Sequence, residues 1–164
     1  MERFPFDACV SAVHFTGATG QIVRVFKDQG EQRLACDLAN IMCRALPPDW
    51  GFKAVTFVPA TLSALRYRGY DHAELIGKAL ASLLEVECVS VLDRPRTRDQ
   101  RKLGAAARMA NLAGGFSPKV RELEYDSWLL VDDVFTTGAT LCAASQALRN
   151  AGARQIDCVS FARV

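Results

Sequence analysis

Two adjacent carboxylates followed by a turn of small hydroxyl residues are the part of this 164-residue sequence best suited to chemistry. An apolar run, Leu129-Leu130-Val131, precedes them, and in open α/β sheets ligands bind outside the carboxyl ends of such buried strands. The carboxylates could accept hydrogen bonds from vicinal hydroxyls or share Mg²⁺. Backbone N–H groups of the turn could close around a phosphate. This pattern predicts a sugar-phosphate site comprising Asp132, Asp133, Phe135, Thr136, Thr137, Gly138, Ala139 and Thr140.

The alternative for the same residues is a strand, a threonine cap and a helix, with two exposed aspartates in the turn. A plain cap needs one capping residue, whereas this segment has a doubled acid followed by three threonines around a glycine, so we favour the binding site. The string resembles the phosphoribosyl-pyrophosphate (PRPP) signature of type I phosphoribosyltransferases. That resemblance implies that Asp132 and Asp133 hold the ribose hydroxyls, and that residues 136–140 hold the 5-phosphate.

Alternating strand and helix patterns predict an α/β fold with a doubly wound, mainly parallel sheet flanked by helices. The strands are expected at residues 9–15, 54–58, 88–92, 128–131 and 156–161, and the helices at 21–27, 34–45, 75–83 and 137–151. A chain of 164 residues that is 50% hydrophobic can form one core, so we expect a single domain over residues 1–164. Resemblance to the type I fold adds a small hood, to which residues 1–30 would contribute.

The composition favours no membrane and no strongly charged partner. The net charge is +2, and no apolar stretch approaches the roughly 20 residues of a membrane span. We therefore expect a cytoplasmic protein. The six cysteines are dispersed and form no Cys-x-x-Cys motif, which favours free buried thiols, and the two histidines lack the spacing of a zinc pair.

Residues 60–71 are expected to form a loop that leaves the carboxyl end of a strand, on the same rim as the acid pair. A diphosphate could be held there by arginine side chains and nearby backbone N–H groups, in a set comprising Ala60, Thr61, Arg66 and Arg68. Two solvated arginines before a helix are an equally good interpretation. His72 fits a helix-start or surface residue better than a catalytic base.

A cationic segment spans residues 94–102, where five cations occur in nine residues. It has no apolar periodicity, so we expect a mobile lid over a polyanion, with Arg98 and Arg101 acting in catalysis. A solvated charge run is the plainer alternative. A nucleic-acid contact is the third, although no aromatic residues are interleaved for base stacking.

A narrower resemblance covers nearly the whole chain. Val58-Pro59, the segment 68–75, the string Thr97-Arg98-Asp99-Gln100 and the acid pair occur in an order similar to that of the ComF (competence protein F) family. Its members are phosphoribosyltransferase-like proteins linked to bacterial competence for DNA uptake. Two departures are the Tyr-Asp-His at residues 70–72, where the family usually has Phe-Asn-Gln, and the lack of the usual amino-terminal zinc module.

These resemblances predict a phosphoribosyltransferase that binds PRPP and Mg²⁺ and transfers the phosphoribosyl group to an unidentified nitrogen nucleophile, releasing pyrophosphate. Asp132 and Asp133 would support Mg²⁺ indirectly. Glutamine hydrolysis is not expected, because Cys9 has no evident base and no room remains for a glutaminase domain. The alternative is a non-catalytic PRPP sensor or accessory protein in DNA uptake, with a competence helicase or single-stranded DNA as partner. A homodimer is also left open.

Overall fold

A computed structural model describes residues 4–94 and 115–164. Its main sheet has five parallel strands in the order β1-β7-β6-β2-β3, and a small two-stranded antiparallel sheet pairs β4 with β5. The predicted α/β fold is confirmed. The strands are β1 Ala8–His14, β2 Ala54–Phe57, β3 Glu87–Cys88, β4 Leu92–Asp93, β5 Ser117–Pro118, β6 Ser127–Phe135 and β7 Gln155–Arg163. The helices are α1 Gly17–Asp28, α2 Leu34–Ala45, α3 Leu62–Arg68, α4 His72–Leu84 and α5 Ala139–Asn150.

Two hydrophobic layers hold the main sheet from opposite faces. Alternate residues of β6 supply them, because successive side chains of a strand point to opposite faces: Leu129 packs in one layer and Leu130 in the other. The first layer is completed by α1, α2 and α4, and the second by α5 and the small sheet. Both faces of β6 are therefore covered, which explains the unbroken apolar run in its sequence.

The acid pair lies inside β6. The strand was predicted to end at Val131, but it continues four residues further, to Phe135. Asp132 pairs with Ser160 of β7, and Val134 pairs with Ala162. Backbone pairing does not depend on side-chain polarity, so the ladder continues past the point where the apolar pattern stops. Asp132 and Asp133 consequently occupy a rigid strand end near the carboxyl edge of the sheet.

The prediction of a loop over residues 60–71 is wrong, because this segment contains α3. The Thr61 side chain caps the start of this helix by accepting from the Ala64 N–H, and Gly69 ends it in the left-handed conformation. The expected strand at 88–92 is also replaced by two short strands in different sheets. Both corrections concern segments that lack a sustained apolar pattern.

Residues 4–30 contribute to the body of the fold. β1 is an edge strand of the main sheet, and α1 buries Val23 and Phe26 in the first hydrophobic layer. Their role as a hood stays a prediction. Arg98 and Arg101, with most of the expected lid, lie outside the described residues. Within residues 4–94 and 115–164, no helix combines the length and the apolar character needed to cross a membrane.

The cysteines follow the expectation only in part. All six are free, but Cys158 alone is fully buried, whereas Cys9 and Cys36 are exposed.

Candidate functional site

Asp133 is a buried carboxylate with the Lys27 ammonium and the His72 ring on one side. The residue as a whole is 4% exposed. One oxygen, Oδ1, accepts from the Val134 N–H at 2.9 Å. The other, Oδ2, contacts the Lys27 ammonium and lies 3.6 Å from His72 Nε2. Elements distant in sequence, namely the end of α1 and the start of α4, thus meet at one carboxylate.

These contacts fix the charge of Asp133. Burial by itself raises the pKa of this carboxyl, but the neighbouring His72 ring and the Lys27 ammonium together outweigh burial and hold the pKa below its usual range. Asp133 is therefore ionised at neutral pH. An ionised carboxylate is acceptor-only, which suits hydrogen bonds from sugar hydroxyls.

Asp132 has a different environment. It is 7% exposed, and its Oδ1 accepts from the Asp133 N–H at 2.9 Å. Burial, and after it the negative charge of Asp133, raises the pKa of Asp132 well above its usual range. The pKa values of the two neighbouring acids are thus shifted in opposite directions, and only Asp133 is in direct contact with the Lys27 ammonium.

The turn after β6 has the features of an anion site. Gly138 adopts φ +79 at the amino end of α5 and has no side chain with which to cap the helix. The Thr137 hydroxyl accepts from the Ala139 N–H at 3.4 Å. Thr136, Thr137 and Ala139 are exposed, whereas Thr140 is half-buried. The amino end of α5 and the exposed Thr136 and Thr137 thus face solvent together, which suits an anion.

Phe135 supports this turn from below. Its ring packs so closely against Gly138 that a Cβ there would lie 2.8 Å from the ring. The Arg163 guanidinium lies over the same ring, 4.9 Å from its centroid. Phe135, which the sequence placed in the PRPP set, thus holds the backbone of the turn in position and has a cation beside it.

Of the four residues expected to hold a diphosphate, the structure leaves some open to a ligand and gives others protein partners. Arg66 is exposed on α3, and Thr61 is the cap of that helix. The Ala60 N–H donates to Asp71 Oδ2 at 2.7 Å. The guanidinium of Arg68 lies 3.3 Å from Asp28 Oδ1 and 3.4 Å from His72 Nδ1. Arg66 is available to a ligand, whereas Arg68 and the Ala60 amide already have protein partners.

Sequence reasoning missed two residues that contact Asp133. Lys27 lies in the last turn of a helix and has no motif around it. His72 is the first residue of α4, which confirms the helix-start interpretation, but it is only 9% exposed and is not a surface residue. The signal that could have identified it is Asp71, whose side chain caps α4 and turns this segment towards β2 through Ala60.

Comparison with known proteins identifies the family of this chain. Residues 71–164 match the model of the phosphoribosyl transferase domain. The chain is 38% identical to competence protein F of Haemophilus influenzae, over 96% of this chain and 73% of that protein. It is 29% identical to a ribose-phosphate pyrophosphokinase of Ralstonia nicotianae, over 60% of this chain and 30% of that enzyme.

A solved structure shares the fold. The glutamine PRPP amidotransferase of B. subtilis superimposes with a TM-score of 0.56 and 18% identity, over 78% of this chain and 26% of that enzyme. At this identity the likeness concerns the fold alone. Taken with the family match and the 38% identity, it identifies the protein as a phosphoribosyltransferase-domain protein of the competence protein F family.

Proposed function

We propose that the protein binds PRPP and transfers its phosphoribosyl group to a nitrogen nucleophile, releasing pyrophosphate. The observation that carries the proposal is the buried acid pair of β6, followed directly by an open turn at the amino end of α5. Ribose hydroxyls suit the acids, and the 5-phosphate suits residues 136–140. A ribose 5-phosphate group offers both partners at once.

The chemistry needs no nucleophile from the protein. The bond between C1 and the diphosphate oxygen breaks, a bond from C1 to the acceptor nitrogen forms, and that nitrogen loses a proton to water. Positive charge develops at C1 in the transition state. Asp133 contributes a fixed negative charge and orients the hydroxyls, while the turn anchors the 5-phosphate, so catalysis rests on positioning and electrostatics.

Mg²⁺ is a proposed cofactor that would arrive with the substrate. The donor set fits this role: Asp132 and Asp133 are oxygen ligands, and Mg²⁺ typically uses one or two carboxylates together with substrate phosphates. In the part of the chain that the structure describes, no cluster of three or more histidine, cysteine or acidic side chains could hold a metal by itself. Bound Mg²⁺ would neutralise charge on the leaving diphosphate. The exposed Arg66 would add a second cation on the rim.

We expect PRPP with Mg²⁺ to raise the melting temperature by roughly 5 to 10 °C. At a free ligand concentration of about 100 times the dissociation constant, linkage contributes ~2.7 kcal/mol. A scanning fluorimetry series with PRPP, Mg²⁺ and both together checks this. Asp133→Asn is the matched variant and should lose most of the shift. An unchanged melt with the wild-type chain overturns PRPP binding.

Pyrophosphate release tests the transfer itself. The wild-type chain is incubated with PRPP, Mg²⁺ and a panel of nucleobases, ammonia and primary amines, and pyrophosphate is measured by a coupled assay. Release that depends on one acceptor and is lost in Asp132→Asn and Asp133→Asn supports the enzyme. Release without any acceptor would indicate hydrolysis of PRPP.

The second candidate is a PRPP sensor or accessory protein in DNA uptake, and the 38% identity to a protein named competence protein F favours it. A helicase or single-stranded DNA partner and a homodimer remain proposals. The two candidates differ in the assays above: a sensor shows the thermal shift but no acceptor-dependent release. Binding of single-stranded DNA that weakens steeply with salt would add direct support for the accessory role.

A further inference from the structure

Lys27 covers the carboxylate that the proposed ribose hydroxyls would need. Its ammonium contacts Asp133 Oδ2, and the side chain is 25% exposed whereas that of Asp133 is 6% exposed. The other oxygen already accepts from a backbone N–H. A sugar hydroxyl that donates to Asp133 Oδ2 therefore competes with the Lys27 ammonium for this oxygen.

The backbone beneath this lysine is held in place. Phe26, the preceding residue, is fully buried in the first hydrophobic layer, and its carbonyl accepts from the Tyr70 hydroxyl. The following residue, Asp28, pairs with Arg68. The end of α1 is thus tied on both sides, and the ammonium can leave Asp133 only by rotation of its four-carbon side chain.

Once displaced from Asp133, the ammonium is a strongly hydrated point charge that requires another anion nearby. A ligand that carries a second anion beside its ribose diol supplies that partner. A ligand whose only anion is the 5-phosphate places it at residues 136–140 and leaves the ammonium uncompensated. PRPP belongs to the first class, and ribose 5-phosphate belongs to the second.

We propose that Lys27 is a specificity-determining residue: it occupies Asp133 in the free protein and passes to the diphosphate when ribose hydroxyls replace it. This inference rests on the proposed function, since it concerns the same ribose site. Its consequence is selectivity among sugar phosphates. The exchange disfavours sugar phosphates that lack the diphosphate and so reserves the site for PRPP.

The test compares affinities for PRPP and ribose 5-phosphate, each with Mg²⁺, by isothermal titration calorimetry. Lys27→Met keeps the aliphatic side chain and removes the cation. We expect its preference for PRPP over ribose 5-phosphate to fall at least tenfold, through tighter binding of ribose 5-phosphate and weaker binding of PRPP. Lys53→Met is the matched control, because Lys53 pairs with the exposed Asp126 and its substitution should leave the preference unchanged.

The outcomes separate the two proposals. If the wild-type chain binds PRPP and Lys27→Met keeps the wild-type preference, the role of Lys27 is overturned while the proposed function stands. A wild-type chain that binds neither ligand overturns the proposed function, and the inference with it.

A second measurement needs no variant and applies also if Lys27→Met fails to fold. An amine-reactive reagent labels the wild-type chain, and mass spectrometry of its peptides gives the labelling rate of Lys27. Saturating ribose 5-phosphate should raise this rate several-fold, because the ammonium is displaced without a new partner, and PRPP should not. Equal rates in the free and the ribose 5-phosphate-bound chain contradict the exchange.

Discussion

Replacing Asp133 by asparagine is expected to lower the free energy of unfolding by about 2 to 3 kcal/mol, because the substitution leaves the Lys27 cation without its buried counter-charge. The 25% exposure of Lys27 allows water to replace only part of the lost interaction. His72, 3.6 Å from the same oxygen, loses a partner as well. For a chain of this length the loss corresponds to a melting temperature lower by roughly 5 to 10 °C. Thermal and urea unfolding of the ligand-free protein measure it.

Asp132→Asn is expected to have the opposite effect on the free energy of unfolding. Burial and the adjacent negative charge raise the pKa of Asp132, so its ionised form is costly in the folded state. Asparagine keeps an oxygen for the Asp133 N–H, which donates to Asp132 Oδ1 at 2.9 Å. Asp132→Asn should therefore raise the free energy of unfolding at neutral pH.

The pH dependence of this contrast follows from linkage. For Asp132 the folded pKa is raised, so its stabilising contribution is complete below the unfolded pKa of about 3.9 and is lost as pH rises through the folded value. The advantage of Asp132→Asn over the wild-type chain should thus grow from about pH 4 upward. For Asp133 the folded pKa is lowered, so its contribution is present above about pH 3.9 and is lost on further acidification.

A surface pair provides the control for both aspartates. Asp126 pairs with Lys53 at 3.0 Å, and the two side chains are 48% and 62% exposed. Asp126→Asn should leave the free energy of unfolding nearly unchanged, because water and salt screen this exposed pair. Equal destabilisation by Asp132→Asn and Asp133→Asn would contradict the unequal division of charge between the two acids.

The parallel sheet and its acid pair could be predicted because buried parallel strands appear in a sequence as apolar runs. The run at residues 129–131 located β6, and the chemistry of the next residues placed a polar site near its carboxyl edge. The end of the strand could not be predicted from polarity, since Asp132 and Val134 keep their backbone pairing with β7. Local side-chain patterns do not record that pairing.

Helix α3 and the Lys27 contact escaped prediction for different reasons. No residue of α3 is buried, so the helix has no apolar stripe, and only its cap and its final glycine mark it. The contact between Lys27 and Asp133 joins the end of α1 to β6, and no local pattern can indicate which carboxylate a lone lysine will reach. Such a contact depends on how the whole sheet is assembled.

Gly138→Ala is expected to have the largest effect on phosphate binding. Two costs combine at this position. A left-handed residue other than glycine costs about 1 to 2 kcal/mol, and the added Cβ would lie 2.8 Å from the Phe135 ring. The ring must move, and the turn that it supports must move with it. We expect the free energy of unfolding to fall by about 2 to 3 kcal/mol and PRPP affinity, measured by calorimetry, to fall at least tenfold, an estimated 1.4 kcal/mol or more.

Gly30 separates these two costs. It has nearly the same backbone conformation, φ +75, but nothing lies within 4 Å of a Cβ built there. Gly30→Ala should therefore show the conformational cost alone, about 1 to 2 kcal/mol of stability, with PRPP affinity unchanged. Adding Phe135→Leu to Gly138→Ala should restore part of the lost affinity, because the smaller side chain gives the new methyl group room. If Gly30→Ala weakens PRPP binding as much as Gly138→Ala does, the effect arises from general destabilisation and the turn has no special part in holding the phosphate.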